Sequence, residues 1–464
     1  MYLLFNRYVA PQTVFLALSE TALVFLTVVL TAAIRFSFIG SYVYAYDPTL
    51  LKTIVMTLTY TAVFYYFGLY SSEFYHPGRQ MIMKLLQATA VSAVILFGIY
   101  FIFPSLKTWR GILLANMFLL PLGVVVWRTL LAGRLMPEAP EKRVLIIGTG
   151  ELARKIGTDI YRRRGHGLRL TGFIDDDPSK VGQSIVNPGV IGCFGDIADI
   201  VKGEKIERII IALPDRRARL PMRALLDCKL RGVNVEEGET FEERMTGKIP
   251  LDNLKPSWMV FSDGFKSLRT RKIMKRIFDL AISMAGLAVC APVMLITVVL
   301  IKLGSRGPVV FKQARVGEHG KEFNIYKFRS MKQDAESKTG PVWASTDDDR
   351  VTRVGRIIRK LRIDELPQLI NIIKGDMSFV GPRPERAFFV DKLKEIVPYY
   401  EIRTVVKPGV TGWAQIKYPY GASVEDAVEK LQYDIYYIKN MSPLLDLMIF
   451  FFTIKVVLTG EGAR

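Results

Sequence analysis

Apolar residues fall in long unbroken runs at the start of the chain, in short runs through its middle, and in mixed patterns towards its end. Val14–Ile34, Leu51–Tyr70, Leu85–Phe103 and Ile112–Leu131 are each close to the length needed to cross a bilayer. They predict a four-helix transmembrane block over residues 1–135. Glu20 lies inside the first run, where a carboxylate is a functional candidate unless it reaches the interface. Arg7, Arg79, Lys84, Arg128, Arg134, Lys142 and Arg143 fall on one side of the block. Arg35, Lys52, Lys107 and Arg110 fall on the other, so the excess of basic residues predicts cytoplasmic ends.

From residue 140 to about 262 the pattern changes to strand–helix alternation. Lys142–Ile147, the stretch LRLTGFIDDD ending at Asp177, RIIIALP from Arg208 and GVNVEE read as strands, with a helix over Met222–Arg231. Such alternation predicts a parallel α/β domain. Gly148-Thr149-Gly150 follows the first strand, and the second ends in Asp175, Asp176 and Asp177. This resembles a dinucleotide fingerprint, a Rossmann-like arrangement in which Gly148 and Gly150 are weak cofactor-binding candidates. The competing reading is a nucleotide-binding-like scaffold without hydride chemistry.

Leu280–Leu300 is a further run of spanning length, flanked by Lys275 and Arg276 before and by Lys302 and Arg306 after. A full span would put the remaining chain on the opposite side from the middle domain. Pro292 interrupts the run, and proline removes a helical hydrogen bond. A re-entrant helix over 273–303, bent at Ala291-Pro292, reconciles the charges with the proline. The apolar tail Leu444–Leu458, interrupted by Asp446 and Lys455, suits the membrane interface.

Half the chain is apolar and its formal charge is +19. A basic membrane protein points to anionic headgroups or anionic substrates. The long apolar N-terminus and the lack of a nucleic-acid motif argue against nucleic acid. Cys193, Cys228 and Cys290 are scattered and the histidines are three, so neither a disulfide framework nor a structural zinc site is expected. No cleavable signal peptide is expected either, because the first run is too long.

The chemistry gathers in RVGRIIRKLRIDELPQLINIIKGDMSFVGPRP, Arg353–Pro384. Its basic residues alternate with an apolar stripe of Val354, Ile357, Ile358 and Leu361 at helical spacing. Asp364 and Glu365 come next, just ahead of Pro367, which is tolerated only in a helix's first turn. That places the acid pair at the start of a helix running to about Ile373. Gly381-Pro382-Arg383-Pro384 is a rigid turn carrying one guanidinium. A carboxylate pair can hold Mg²⁺, and a carboxylate can attack phosphorus to give an acyl phosphate. Arg315, Lys327, Arg329, Arg353, Arg383 and Lys407 are the cations available to neutralise phosphate charge. Asp364 is the candidate nucleophile and Glu365 its partner in metal binding or proton handling. The blander reading is a helix cap beside a solvated Glu. His319 reads as a turn residue and Asp347–Asp349 as a solvated loop.

This stretch, together with KRIFDL (Lys275–Leu280), GPVVFKQARVGEHGKEFNIYKFRSM (Gly307–Met331), KPGVTGWAQI (Lys407–Ile416) and YDIYYIKNMS (Tyr433–Ser442), resembles the bacterial sugar transferases. These are the polyprenyl-phosphate glycosyl-1-phosphate transferases that start exopolysaccharide and O-antigen synthesis. The five blocks keep the family's order and cover 270–464. The resemblance implies a monotopic phosphoglycosyl transferase domain with a re-entrant helix kinked at a Ser-Pro pair, where this chain has Ala291. It implies transfer of a hexose 1-phosphate from a UDP-sugar to undecaprenyl phosphate, with Mg²⁺ and an Asp-Glu dyad working by a ping-pong route at the inner membrane. The expected fold class is thus a transmembrane helical block, a Rossmann-like α/β domain and a membrane-anchored catalytic domain. Two rival readings remain: a membrane-tethered nucleotide-dependent oxidoreductase or epimerase, and a non-catalytic partner of polysaccharide machinery. The pattern names neither the sugar nor the oligomeric state, a homo-oligomer included.

Overall fold

The computed structural model describes residues 2–4, 7–9, 11–37, 49–70, 74–75, 77–108, 110–134, 141–162, 167–213, 220–251, 259, 262, 264–265, 269–331, 350–418, 421 and 423–459. His76 and Asp347–Asp349 lie outside them. The chain divides into two compact units, Met1–Gly238 and Glu239–Arg464.

The first unit opens with a hairpin of β1 (Tyr2–Leu4) and β2 (Arg7–Val9). The predicted apolar runs then form α1 (Pro11–Ser37), α2 (Thr49–Tyr66), α3 (Arg79–Ile102) and α4 (Arg110–Arg134). α1 packs on α2 and α4, and α3 packs on the same two helices. Leu16, Val24, Tyr60, Phe64, Leu85, Leu120 and Val124 fill the centre. Leu18, Leu26, Leu58, Val94, Phe97, Phe118 and Leu122 point outwards and are exposed, as in a bundle whose outer face meets hydrocarbon. α1, α3 and α4 contain stretches long and apolar enough to cross a membrane, Thr13–Ile34, Arg79–Ile102 and Arg110–Leu131. α2, the shortest, is not among them.

Glu20 turns into the bundle. Its two carboxylate oxygens accept from Arg128 Nε and Nη2 at 2.6 and 2.9 Å, with both side chains fully buried. Arg128 Nη1 also donates to the carbonyls of Leu69 and Phe74. The pair therefore ties α1 and α4 to the connection after α2. A buried charge pair of this kind is costly to break from one side.

The α/β part of this unit is one parallel five-stranded sheet in the order β5-β4-β3-β6-β7. Its strands are β3 (Lys142–Ile147), β4 (Leu168–Asp175), β5 (Val190–Cys193), β6 (Arg208–Ile211) and β7 (Asn234–Glu237). α5 (Glu151–Arg162), α6 (Ile197–Gly203) and α7 (Met222–Leu230) connect them. Val144–Ile147 are all buried, the near-continuous apolar run expected of a strand covered on both faces. The edge strand β5 was not among the sequence-predicted strands.

The second unit begins within α8 (Gly238–Thr246). Residues after α8 pack into the rest of this unit: Trp413 Nε1 donates to the Gly247 carbonyl at 2.8 Å, and Ile249 N to the Gln432 carbonyl at 3.1 Å. The long helix α9 (Arg269–Gly304) runs as one element through Pro292, and it too is apolar enough to cross a membrane. After it come the antiparallel hairpin β8 (Val310–Val316) and β9 (Glu322–Phe328), then α10 (Arg353–Lys360) and α11 (Gln368–Lys374). β10 (Ser378–Val380) pairs in parallel with β11 (Gly409–Thr411), with α12 (Ala387–Ile396) between them. The end of the unit is α13 (Trp413–Lys417), α14 (Val424–Asn440) and α15 (Pro443–Thr459). Its core gathers Trp413, Ile435, Tyr436 and Tyr437 against Val380, Val390 and Leu393. His319, at φ 56° in the 3₁₀ turn Glu318–Gly320, serves the β8–β9 hairpin as a turn residue.

Candidate active site

The acid pair sits where one helix is stopped and another started. Thr352 caps α10, its hydroxyl accepting from Gly355 N at 2.9 Å. Gly355 is required there, since a Cβ would lie 1.9 Å from the Ser330 carbonyl oxygen. α10 buries Ile358 and ends at Leu361, and Arg362 adopts the left-handed region at φ 58°. The chain turns there into a 3₁₀ turn, Ile363–Glu365, and Pro367 leads into α11. Asn371 ties α11 to β9: its Oδ1 accepts from Tyr326 N at 3.0 Å and its Nδ2 donates to the Asn324 carbonyl at 2.7 Å.

The two carboxylates are treated differently. Glu365 Oε1 accepts from Lys327 Nζ at 2.8 Å and from Arg383 Nη2 at 2.7 Å. Asp364 is buried, and its carboxylate has no hydrogen-bond or ion-pair partner among the described residues. Burial and then the charge of Glu365 push the Asp364 carboxyl above its ordinary value, against the pull of Lys327, Arg359 and Arg383. Burial opposes ionisation of Glu365 as well, but Arg383 and Lys327 outweigh it and hold that carboxyl well below the usual range. The site thus pairs a Glu whose charge is balanced by two cations with a buried Asp that has no partner among the described residues.

Arg383 is fixed from beneath. Its turn follows β10, and β11 runs alongside: Gly381 N donates to the Thr411 carbonyl and Gly409 N to the Pro382 carbonyl, both at 2.9 Å. A Cβ on Gly409 would meet Gly381 N at 2.1 Å, so the glycines of the GVTGW stretch permit this close approach. Arg315 Nη1 donates to the Pro384 carbonyl at 3.1 Å and lies 3.5 Å from Glu385. Arg403 Nη2 donates to the Arg383 carbonyl at 2.9 Å and lies 3.1 Å from buried Asp434. Burial pushes the Asp434 carboxyl up to about 6 despite Arg403.

The remaining candidates go elsewhere. Arg329 is buried and donates to the Ser305 and Arg306 carbonyls at 2.8 and 2.9 Å, closing the C-terminal end of α9. Arg353 stands exposed at the first turn of α10. Lys407 Nζ lies beside Gly375 at the far end of α11, together with Arg276. Arg276 donates to the Ile372 and Ile373 carbonyls at 2.6 and 2.8 Å, a cation at the negative end of a helix. Lys275 bridges the Val380 carbonyl and Asp446 at 2.9 and 2.8 Å. In the α/β part, Gly148 has φ +110° and a Cβ there would lie 2.7 Å from the Ala212 carbonyl oxygen, while Gly150 faces open space. Asp175 is occupied by Thr149 Oγ1 and by Lys180 Nζ, the latter at 2.9 Å.

Residues outside the sequence-derived set also matter. Asp279, buried in α9, accepts from Ser378 Oγ and Phe379 N at 3.0 and 2.9 Å and so holds β10, the strand that leads to Arg383. A carboxylate directly ahead of the apolar run Leu280–Leu300 was the available signal. Arg359, whose charge acts on Asp364, was visible only as one of several basic residues of α10. No group of three or more His, Cys, Asp or Glu suited to a metal occurs among the described residues.

A bacterial sugar transferase family model matches residues 270–460, and a CoA-binding domain model matches 65–235. The UDP-N-acetylgalactosamine-undecaprenyl-phosphate N-acetylgalactosaminephosphotransferase of Aeromonas hydrophila is 45% identical over 245 residues, covering 52% of this chain and 56% of that protein. The undecaprenyl-phosphate glucose phosphotransferase of Komagataeibacter xylinus is 35% identical over 330 residues, 69% of this chain and 60% of the relative. The match thus spans less than two thirds of either relative. The UDP-glucose:undecaprenyl-phosphate glucose-1-phosphate transferase of Escherichia coli is 30% identical over 387 residues, 80% of each chain. On this similarity, which runs through both units, the chain belongs to the bacterial sugar transferase family, the undecaprenyl-phosphate glycosyl-1-phosphate transferases.

Proposed function

We propose that this protein transfers a hexose 1-phosphate from a UDP-sugar to undecaprenyl phosphate, the first step of exopolysaccharide or O-antigen repeat-unit synthesis. The observation that carries the reading is the division of labour in the acid pair: Glu365 bound by two cations, Asp364 buried without a partner among the described residues. An Asp364 oxygen attacks the phosphorus that bears the sugar. The bond from that phosphorus to the UMP oxygen breaks, and UMP leaves with the electron pair. An oxygen of undecaprenyl phosphate then attacks the resulting acyl phosphate, and Asp364 departs as a carboxylate. Lys327 and Arg383 keep Glu365 ionised and place positive charge beside the phosphoryl oxygens.

The acid pair also fits magnesium. Mg²⁺ is usually held by one or two carboxylates together with substrate phosphates rather than by an all-protein cage. Asp364 and Glu365 are the residues that would hold it, and its charge would assist departure of UMP.

The reading extends to topology. α9 is engaged by one domain along its length: Arg276 at α11, Asp279 at β10, Gly286 near Leu369, then Met294, Val298 and Ile301 around Phe328 and Ile358. Arg276 to Ile301 rises about 38 Å if straight, against roughly 30 Å of hydrocarbon. A full span would drag α10, with exposed Arg353, Arg356 and Lys360, into lipid or across it. A re-entrant α9 leaves the acid pair on the cytoplasmic face, where UDP-sugars are made. In the α/β part, the engagement of Asp175 by Thr149 and Lys180 speaks for a scaffold rather than hydride chemistry. UMP release from a panel of UDP-sugars, with and without polyprenyl phosphate, tests the function. Release dependent on one sugar class supports it, and none from any UDP-sugar refutes it.

A further inference from the structure

Gln368 is a buried amide one helical turn beyond the proposed nucleophile. Its side chain is 2% exposed, and its Nε2 has no hydrogen-bond partner among the described residues. Buried polar groups in folded proteins are overwhelmingly paired, so an orphaned donor calls for a specific cause. Its position suggests one. Gln368 and Asn371 are three residues apart in α11, and such positions share a face; Asp364 precedes Gln368 by four residues, in the 3₁₀ turn that leads into the helix. Asn371 marks that face as the one turned to β9, through Asn324 and Tyr326. β9 also supplies Lys327, the cation on Glu365. Gln368 is thus on the β9-facing side of α11, in the first turn after the acid pair.

We propose that Gln368 Nε2 is a catalytic donor to a non-bridging oxygen of the sugar-bearing phosphoryl group as that group passes through Asp364. This rests on the transfer reaction proposed above. Lys327 and Arg383 each give a hydrogen bond to the same oxygen of Glu365, and a neutral donor on the phosphoryl group adds to the positive charge that they place beside it. A donor placed before substrate arrives needs no reorganisation at the moment of transfer. An amide does this without adding a charge that would compete with Asp364 for the metal.

The test uses the full-length membrane-bound protein. Gln368→Met keeps a straight side chain and removes the donor; loss of such a donor is expected to lower kcat by about 10²–10³-fold with a smaller change in KM. The readout that a packing role would not move is a sulfur substitution. A UDP-sugar with sulfur in place of one non-bridging oxygen on the sugar-bearing phosphorus should react more slowly than the oxygen substrate in the wild type. That difference should shrink in Gln368→Met. Unchanged kcat, or a loss of rate with the sulfur effect intact, overturns the proposal. Gln368→Glu is the second variant and preserves shape. Its carboxylate should repel the phosphoryl group at neutral pH and donate once protonated, so its activity optimum should move to lower pH. A profile parallel to the wild type overturns the proposal. A wild type inert towards every UDP-sugar would remove the reaction and this inference with it, whereas an active wild type with unaffected variants removes the inference alone.

Discussion

Lys327 and Arg383 share a single oxygen of Glu365, and that sharing makes a quantitative prediction. Arg383→Gln removes one charge-assisted hydrogen bond, generally worth about 1.5–3 kcal/mol. The Arg383 side chain is 32% exposed, and solvent screening places it near the low end. At about 1.36 kcal/mol per decade, kcat/KM should fall roughly tenfold. Lys327→Met should cost a similar factor, because Arg383 remains on the same oxygen. The double variant differs in kind: it leaves a carboxylate with 12% exposure without either cation. Breaking a buried pair from one side costs about 3–5 kcal/mol, so its loss should reach about 10³-fold, beyond the product of the single effects.

The pH dependence has a definite sign. Glu365 is held well below its ordinary value, so in the wild type it stays ionised at and above that value and protonates only at much lower pH. The acid limb of kcat/KM therefore reports Asp364, whose value is raised, with activity lost as pH falls. Removing both cations raises both carboxyls and moves that limb to higher pH. The assay is UMP release across pH for the four proteins of the cycle. Additive losses with an unmoved acid limb would refute the claim that these cations act through Glu365.

Two further outcomes follow from the acid pair and the anchor. Chelation with EDTA should abolish transfer and Mg²⁺ should restore it; full activity in excess chelator would dismiss the metal. Met274→Cys and Leu303→Cys, exposed near the two ends of α9, should react only with thiol reagents that reach the cytoplasm. Labelling of the second from the periplasm would establish a true span.

Local patterns carried much of the architecture. The apolar runs marked the four helices of the membrane block, and the Pro367 rule put the acid pair immediately before α11. Long-range pairing was not legible. Lys327 and Arg329 look equivalent in KFR, yet the strand ends at Phe328 and Arg329 turns to carbonyls at Ser305 and Arg306. Lys407 could be called a phosphate ligand only while the position of its loop, at the opposite end of α11 from Asp364, was unknown. Asp434 lies in the YDIYYIKNMS block and Arg403 outside all five, and they meet only because α14 packs under the Arg383 turn. β5 escaped notice because four residues at a sheet edge, Val190–Cys193, carry almost no periodic signal. Glu20 stood as a functional candidate inside the first run and Arg128 as one of the flanking cations, and only their distant pairing shows that each is the other's buried partner.

The central claim is that Asp364 carries the phosphosugar. Asp364→Asn keeps the shape and removes the charge that attacks phosphorus; Asn serves about as well as Asp at a helix start, so stability should hardly change. The decisive measurement is mass spectrometry of protein quenched with a reactive UDP-sugar and no lipid acceptor. The wild type should show a sugar-phosphate adduct on the peptide containing Asp364, and Asp364→Asn should show none and turn over several powers of ten more slowly. An adduct on Glu365, or no adduct in a wild type that demonstrably releases UMP and forms product when lipid is added, would contradict the account.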